Sequence, residues 1–232
     1  NQSKYIEVQS NHVQDCLSDF IDTKNKIFYE KSDIDVCSDA FSLPRKYNFS
    51  KIIKFLYIVG PHFEFIHKNF ITFVNALTAF DRLNIDYEIN ITLTKDQLYN
   101  SEIWDYALDS KTNFLGYISD QEKMTELFSD NTILISTSII ETLGLHVIEG
   151  IRSGVITIAP NESYARAVYG DNMILYDTLD SNSLLNAIQF ILKSDVSHSA
   201  LILSLQDRLK KSETAKYHNI LDIFEEVLNV QK

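Results

Sequence analysis

The sequence predicts an α/β protein built on a doubly wound parallel sheet. Three observations carry this. Short runs rich in Ile, Val, Leu and Phe alternate with segments whose apolar residues recur at helical spacing, the pattern of successive β-α-β units. The run Ile52-Ile53-Lys54-Phe55-Leu56-Tyr57-Ile58-Val59 is almost continuously apolar and stops at Gly60-Pro61, as a strand buried on both faces of a parallel sheet should. Of 232 residues, 45% are hydrophobic and 23% charged, enough for a core, while 6 Gly and 3 Pro are too few for a turn-dense β-barrel or a low-complexity chain.

Taken in order, residues 4–9 read as a strand, 11–20 as a helix and 26–29 as a second short strand. Residues 32–48 break periodicity with Asp33, Asp35, Ser38, Asp39, Pro44 and Asn48, a linker composition. After the strand at 52–59, Phe70, Phe73, Val74, Leu77 and Phe80 repeat at i, i+3, i+4, i+7 and i+10, a helix whose stripe faces the core. Strands follow at 87–93, 112–116, 132–136, 155–159 and 173–176. Between and after them helices are expected at 96–108, 121–128, 141–153 and 181–192, with polar-faced helices around 200–211 and 215–230. Tyr99, Trp104 and Tyr106 are expected to be buried. The chain divides into residues 1–45, the last strand–helix–strand of a preceding domain plus linker; 46–195, the sheet domain; and 196–232, C-terminal helices.

Charge narrows the function. Lys and Arg number 21 against 32 Asp and Glu, a net charge of -11, so the surface as a whole does not suit a nucleic-acid backbone. The two cysteines, Cys16 and Cys37, are too few for a disulfide framework or a thiolate zinc site and read as reduced thiols in a cytoplasmic protein. No apolar run approaches the roughly 20 residues that span a bilayer. His62 and His67 lie in a loop without a cysteine nearby, so no metal site is expected there. The chain begins at Asn1 without Met or a signal pattern and reads as a fragment, with any membrane contact left to an absent N-terminal part.

In doubly wound sheets ligands bind outside the carboxyl ends of the strands, here at residues 60–69, 116–120, 136–145 and 159–164. The segment from Ser136 to Pro160 stands out. A strand ends at Ser136, a small polar loop follows, and a helix begins near Gly144, with Glu141 before it and Glu149 inside it. The unpaired N–H groups of a helix start suit a phosphate, and Gly144 lacks the Cβ that would block close approach. Two carboxylates beside an anion site call for a hydroxyl-rich neutral partner such as ribose or a hexose. His146, without a base partner, reads as structural.

This segment resembles the Glu-x7-Glu motif of family 4 retaining glycosyltransferases, which have the GT-B fold. The resemblance covers about residues 50–195. It includes the strand and loop before His67-Lys68-Asn69-Phe70, the strand-end loop Phe114-Leu115-Gly116-Tyr117-Ile118, and the strand Gly154-Val155-Ile156-Thr157-Ile158-Ala159-Pro160. It implies the Rossmann-like C-terminal, donor-binding half of a GT-B enzyme, moving a sugar from a nucleotide-sugar donor to a saccharide or lipid-linked acceptor in bacterial surface polysaccharide synthesis. Lys68 would contact the donor diphosphate, and the backbone of Thr142, Leu143, Gly144 and Leu145 would cap it. Glu149 would hold the ribose hydroxyls. Glu141, the catalytic candidate, would face the donor sugar, while Tyr117 and Ile118 would frame the base. No metal and no cofactor is implied, since the nucleotide-sugar is a substrate.

The family usually places Arg directly after the strand-end Gly, where this chain has Pro61 followed by His62. The missing charge-assisted hydrogen bond is worth about 1.5–3 kcal/mol unless a group such as His62 replaces it. Asp33-Ile34-Asp35 imitates the Asp-x-Asp motif of the other glycosyltransferase fold, but its linker setting reads as a solvated turn. Because the acceptor half is not in the chain, the fragment is expected to be inactive alone, in the cytoplasm or peripheral at the inner face of the membrane. The alternative is a non-catalytic nucleotide-sugar-binding subunit that needs a separate acceptor-binding chain.

Overall fold

In the computed structural model, residues 6–8, 10–20, 27–29, 41–194 and 197–212 are described. The expected helix around 215–230, Asp33, Asp35 and Cys37 lie outside them. The first elements are β1 (Ile6–Val8), α1 (Asn11–Phe20) and β2 (Ile27–Tyr29), with β1 and β2 paired in parallel as a sheet of two. The main sheet has six strands: β3 (Ile53–Tyr57), β4 (Tyr87–Ile91), β5 (Thr112–Phe114), β6 (Thr132–Ile135), β7 (Ile156–Pro160) and β8 (Ile174–Tyr176). All its pairings are parallel and the spatial order is β5-β4-β3-β6-β7-β8. This is the Rossmann-like doubly wound order, in which the winding reverses between β3 and β6.

Helices cover both faces because both are apolar. Ile53, Phe55 and Tyr57 of β3, with Ile133 and Ile135 of β6, bury against α2 (Phe70–Asp81) and α7 (Ser181–Lys193). The alternate residues Leu56 and Leu134 turn to the other face, against Phe128 beyond α4 (Gln121–Leu127). On that same face α5 (Leu145–Arg152), α6 (Ser163–Tyr169) and α8 (His198–Ser212) share a second core around Val147, Ile151, Tyr169 and Leu205. Within α2 the predicted stripe Phe70, Phe73, Val74, Leu77 and Phe80 is buried.

Three expectations are corrected. The helix expected at 96–108 is two pieces, α3 (Lys95–Tyr99) and a 3-10 helix Tyr106–Lys111. Its apolar spacing is helical, but the Ser101 hydroxyl caps back onto the Leu98 carbonyl and Asp105 accepts from the Ala107 N–H, which ends one element and starts another. Consequently Trp104 is buried, stacked on Phe70, whereas Tyr106 is exposed and Tyr99 only partly covered. The helix α6 occupies a stretch to which no helix was assigned, beyond the strand-end loop expected at 159–164. The helix expected from 141 starts only at Leu145, leaving Glu141 in the loop ahead of it.

Residues 41–48, expected to be linker, carry no helix or strand but pack on the sheet domain. The Ser42 and Arg45 N–H groups donate to the carbonyls of Arg152 and Gly154 at 2.8 Å each. Gly154 has φ 78, and a Cβ there would strike the Leu43 carbonyl, so glycine is what lets the two segments meet.

Candidate functional site

The site forms where β3 and β6 lie side by side while their onward connections leave in opposite directions, opening a crevice at their carboxyl ends. Two loops cross there, 58–69 after β3 and 136–144 after β6. They are tied together by the Ile139 N–H on the His67 carbonyl and the Thr137 hydroxyl on the Lys68 carbonyl, both at 2.7 Å. With its proton spent on Lys68, Thr137 can only accept from the Tyr57 hydroxyl, 2.6 Å away. Burial pushes that tyrosine hydroxyl well above its usual range, so it stays a neutral donor.

The chemistry-bearing side chains meet above this tie. Lys68 closes a 3-10 helix, Ile66–Lys68, just before Asn69 turns the chain into α2 with φ 50. Its Nζ donates to Glu141 Oε1 at 2.7 Å. Burial raises the Glu141 carboxyl, but the Lys68 ammonium, the Ser138 hydroxyl and the field of His146 together outweigh it and hold the group below the ordinary carboxylate range. The half-buried His146 imidazole is pushed down to about 4, chiefly by desolvation, and its Nε2 lies 3.0 Å from Ser136 Oγ.

The loop leading into α5 is held from beneath by tyrosines. The Tyr164 hydroxyl donates to the Ser138 carbonyl at 2.6 Å and the Tyr169 hydroxyl to the Leu143 carbonyl at 2.8 Å. Gly144, the N-cap of α5, has φ 62, and a Cβ there would overlap the Tyr169 hydroxyl. Glycine is therefore required by the fold itself, beyond the ligand access inferred from the sequence.

Lys68, Glu141, Thr142, Gly144, Leu145, Tyr117 and Ile118 all line one cavity of about 630 Å³. Leu143, His62 and Glu149 do not line it. The Leu143 side chain points into the core on the α5–α6 side. His62 stacks on Phe65, ring centroids 5.0 Å apart. Glu149 sits half-buried on α5, one turn beyond Leu145, and burial raises its carboxyl with no offsetting charge among the described residues. Tyr57, Gln97, Ser136, Thr137, Ser138 and His146 line the cavity too. Sequence reasoning gave none of them an individual role, although Ser136, Thr137 and Ser138 fall in the 136–145 loop where a ligand was expected. Lys68 is the only Lys or Arg among the lining residues, so the place where the resembled family usually has Arg is filled by no other guanidinium or ammonium within the described cavity.

A family model described as "Glycosyl transferases group 1" matches residues 66–214, more than half of the chain. The chain belongs to this family. Solved glycosyltransferases share its fold. TarM matches with a TM-score of 0.62 at 18% identity, over 97% of this chain and 43% of that one. A glycosyltransferase from Rickettsia africae ESF-5 gives 0.65 at 19%, over 97% and 64%. Sucrose-phosphate synthase from Thermosynechococcus elongatus gives 0.66 at 17%, over 97% and 58%. The chain thus spans 43% to 64% of the length of these three structures. No curated protein sequence matches it.

Proposed function

We propose that this group 1 glycosyltransferase chain binds a nucleotide-sugar and is the donor half of a retaining enzyme that passes the sugar to a saccharide or lipid-linked acceptor. The observation that carries the reading is the convergence of Lys68, Glu141 and Gly144 on one cavity at the β3–β6 crevice. Two structural neighbours accord with it: a TarM variant from S. aureus in complex with UDP and saccharide ligands, and a trehalose-6-phosphate protein from E. coli bound with UDP-2-fluoro glucose.

In this reading the diphosphate exchanges for Glu141 on the Lys68 ammonium and meets the free N–H groups at the start of α5. As the nucleoside diphosphate leaves, negative charge grows on its phosphates where these groups already point. The sugar gains oxocarbenium character, which the released Glu141 carboxylate stabilises. His146 is neutral at physiological pH and offers a hydrogen bond without adding charge. Glu149, which does not line the cavity, takes the ribose in this reading only if the α5 side of the cavity rearranges on binding. The acceptor is held by a second domain outside residues 46–195, and residues 46–195 bind the donor without turning it over by themselves; that the chain spans 43% to 64% of its structural neighbours accords with this. A role in surface polysaccharide synthesis, at the cytoplasmic side of a membrane, follows from the family resemblance.

Isothermal calorimetry with UDP, GDP and their sugars tests the proposal. The expected result is saturable binding at or below millimolar ligand that Lys68→Met weakens. Absence of binding by every nucleotide at millimolar concentration contradicts it.

A further inference from the structure

His146 is the second residue of α5, and its imidazole lines the cavity beside Gly144 and Leu145. Its Nε2 lies 3.0 Å from the Oγ of Ser136, a buried hydroxyl that lines the same cavity. A neutral imidazole has one N–H and one lone pair, so in either tautomer it has a single donor to share between Ser136 and a ligand. A second proton makes both nitrogens donors and the ring a cation.

The charged groups that act on the ring come from two other segments, Glu141 from the loop after β6 and Lys68 from the loop after β3. They pull its proton affinity in opposite directions and are paired with each other at 2.7 Å, so desolvation decides and the ring stays neutral. Glu149 lies three residues on along α5, its carboxyl raised by burial. Tyr57 of β3 and Tyr164 of α6, whose hydroxyls bind the loop at Thr137 and Ser138, are kept neutral by burial.

A diphosphate changes this balance. In a nucleotide-sugar each phosphate carries one negative charge and gains no further proton near neutral pH. Both charges enter beside the ring as Lys68 turns from Glu141 toward them, and the surroundings of the imidazole go from neutral to net negative.

We propose that His146 is a second, proton-dependent phosphate contact: a diphosphate in the cavity draws a proton onto the imidazole, which then grips it together with Lys68 at the start of α5. On the acid side of physiological pH it stands in for the Arg that this chain lacks. This rests on the donor-binding reading above and adds to it a residue and the condition under which it acts. By reciprocity, a ligand that favours the charged ring is bound better by it, so affinity rises as pH falls.

Calorimetry of the full chain with UDP-glucose and GDP-glucose, from about pH 8 to about pH 5.5 and in two buffers of different ionisation heat, is the experiment. For a ring whose midpoint climbs from about 4 to about 6.5 in the complex, the wild type binds about tenfold more tightly at the acid end and takes up about one proton per ligand there. His146→Gln keeps a donor but cannot gain a proton. It is expected to hold the wild type's alkaline affinity throughout, with no proton uptake. His67→Gln, next to Lys68 but off the cavity lining, is expected to keep the wild-type rise. If His146→Gln does not fold, imidazole carbon-13 shifts of the wild type read the same event: one histidine midpoint rises by about two to three units on saturation with UDP-glucose. Saturable binding with a flat pH profile, a rise that survives His146→Gln or is lost in His67→Gln, or histidine midpoints that do not move, overturns this inference alone. No binding of either nucleotide-sugar at any pH overturns the donor reading and this inference with it.

Discussion

The Lys68 ammonium donates to the Glu141 carboxylate at 2.7 Å, joining two loops that lie 73 residues apart in the chain. Each partner is a group the sequence assigned to a different part of one substrate, Lys68 to the phosphates and Glu141 to the sugar. Without ligand they neutralise each other. On the proposed reading a diphosphate entering the cavity competes with a carboxylate already in place, and among the described residues the cavity lining offers no second ammonium or guanidinium to help it. The missing Arg then leaves donor affinity resting on one cation that is already paired.

Glu141→Gln should therefore tighten UDP binding by about three- to tenfold, since the competing charge and its repulsion of phosphate both go. A UDP-sugar should gain less, because it loses a contact to the sugar at the same time. Calorimetric titration of the variant with both ligands checks this; weaker UDP binding in Glu141→Gln would show that the pair does not oppose the phosphates.

Thr137 relays the buried Tyr57 hydroxyl to the Lys68 carbonyl. Thr137→Val leaves both partners unsatisfied and should cost about 1–3 kcal/mol, read as a lower urea midpoint, while Thr137→Ser keeps the hydroxyl and most of the stability. Equal midpoints for wild type and Thr137→Val would remove the relay from the account.

The same loop tests the tyrosine support. Gly144→Ala places a side chain at φ 62 and against the Tyr169 hydroxyl, and should destabilise by about 1–3 kcal/mol or more. In Tyr169→Phe the overlap is relieved but the dihedral cost stays, so the two substitutions combined should cost less than their sum. Strict additivity in a denaturation cycle would mean that the hydroxyl does not constrain residue 144.

Much of this architecture is readable in the sequence, for identifiable reasons. The central strands β6 and β7, and most of β3, are short apolar runs whose pattern is plain because both faces are buried. Lys68, Glu141 and Gly144 could be picked out because family spacing marks them. What escaped depends on long-range contact. The helix Ser163–Tyr169 has only seven residues, too few for its buried face of Tyr164, Ala165 and Tyr169 to stand out as a period, so no helix was read there. The break near residue 101 is made by Ser and Asp caps that compete with an otherwise helical pattern. That Lys68 would spend itself on Glu141 follows from loops brought together only by the sheet order.

His146 gives a pH signature. Its folded value, about 4, lies below the ordinary 6.5, so the unfolded chain binds more protons between these values and stability falls as pH drops through that window. The loss is at most about 3 kcal/mol, reduced by whatever water reaches the cavity edge of the ring. Glu141, also held below its usual range, loses its pairing only toward the acid end of that window and beyond. His146→Gln should flatten the decline between pH 6.5 and 4, as followed by urea midpoints across pH. An unchanged slope would mean that this imidazole titrates normally.

The most direct test of the central claim is a crystal structure of the chain with UDP. The account predicts the diphosphate at the crevice between β3 and β6, in hydrogen-bond contact with Lys68 Nζ and the start of α5, with the Lys68–Glu141 pair opened. A nucleotide bound elsewhere, or a diphosphate that leaves Lys68 on Glu141 untouched, would contradict it.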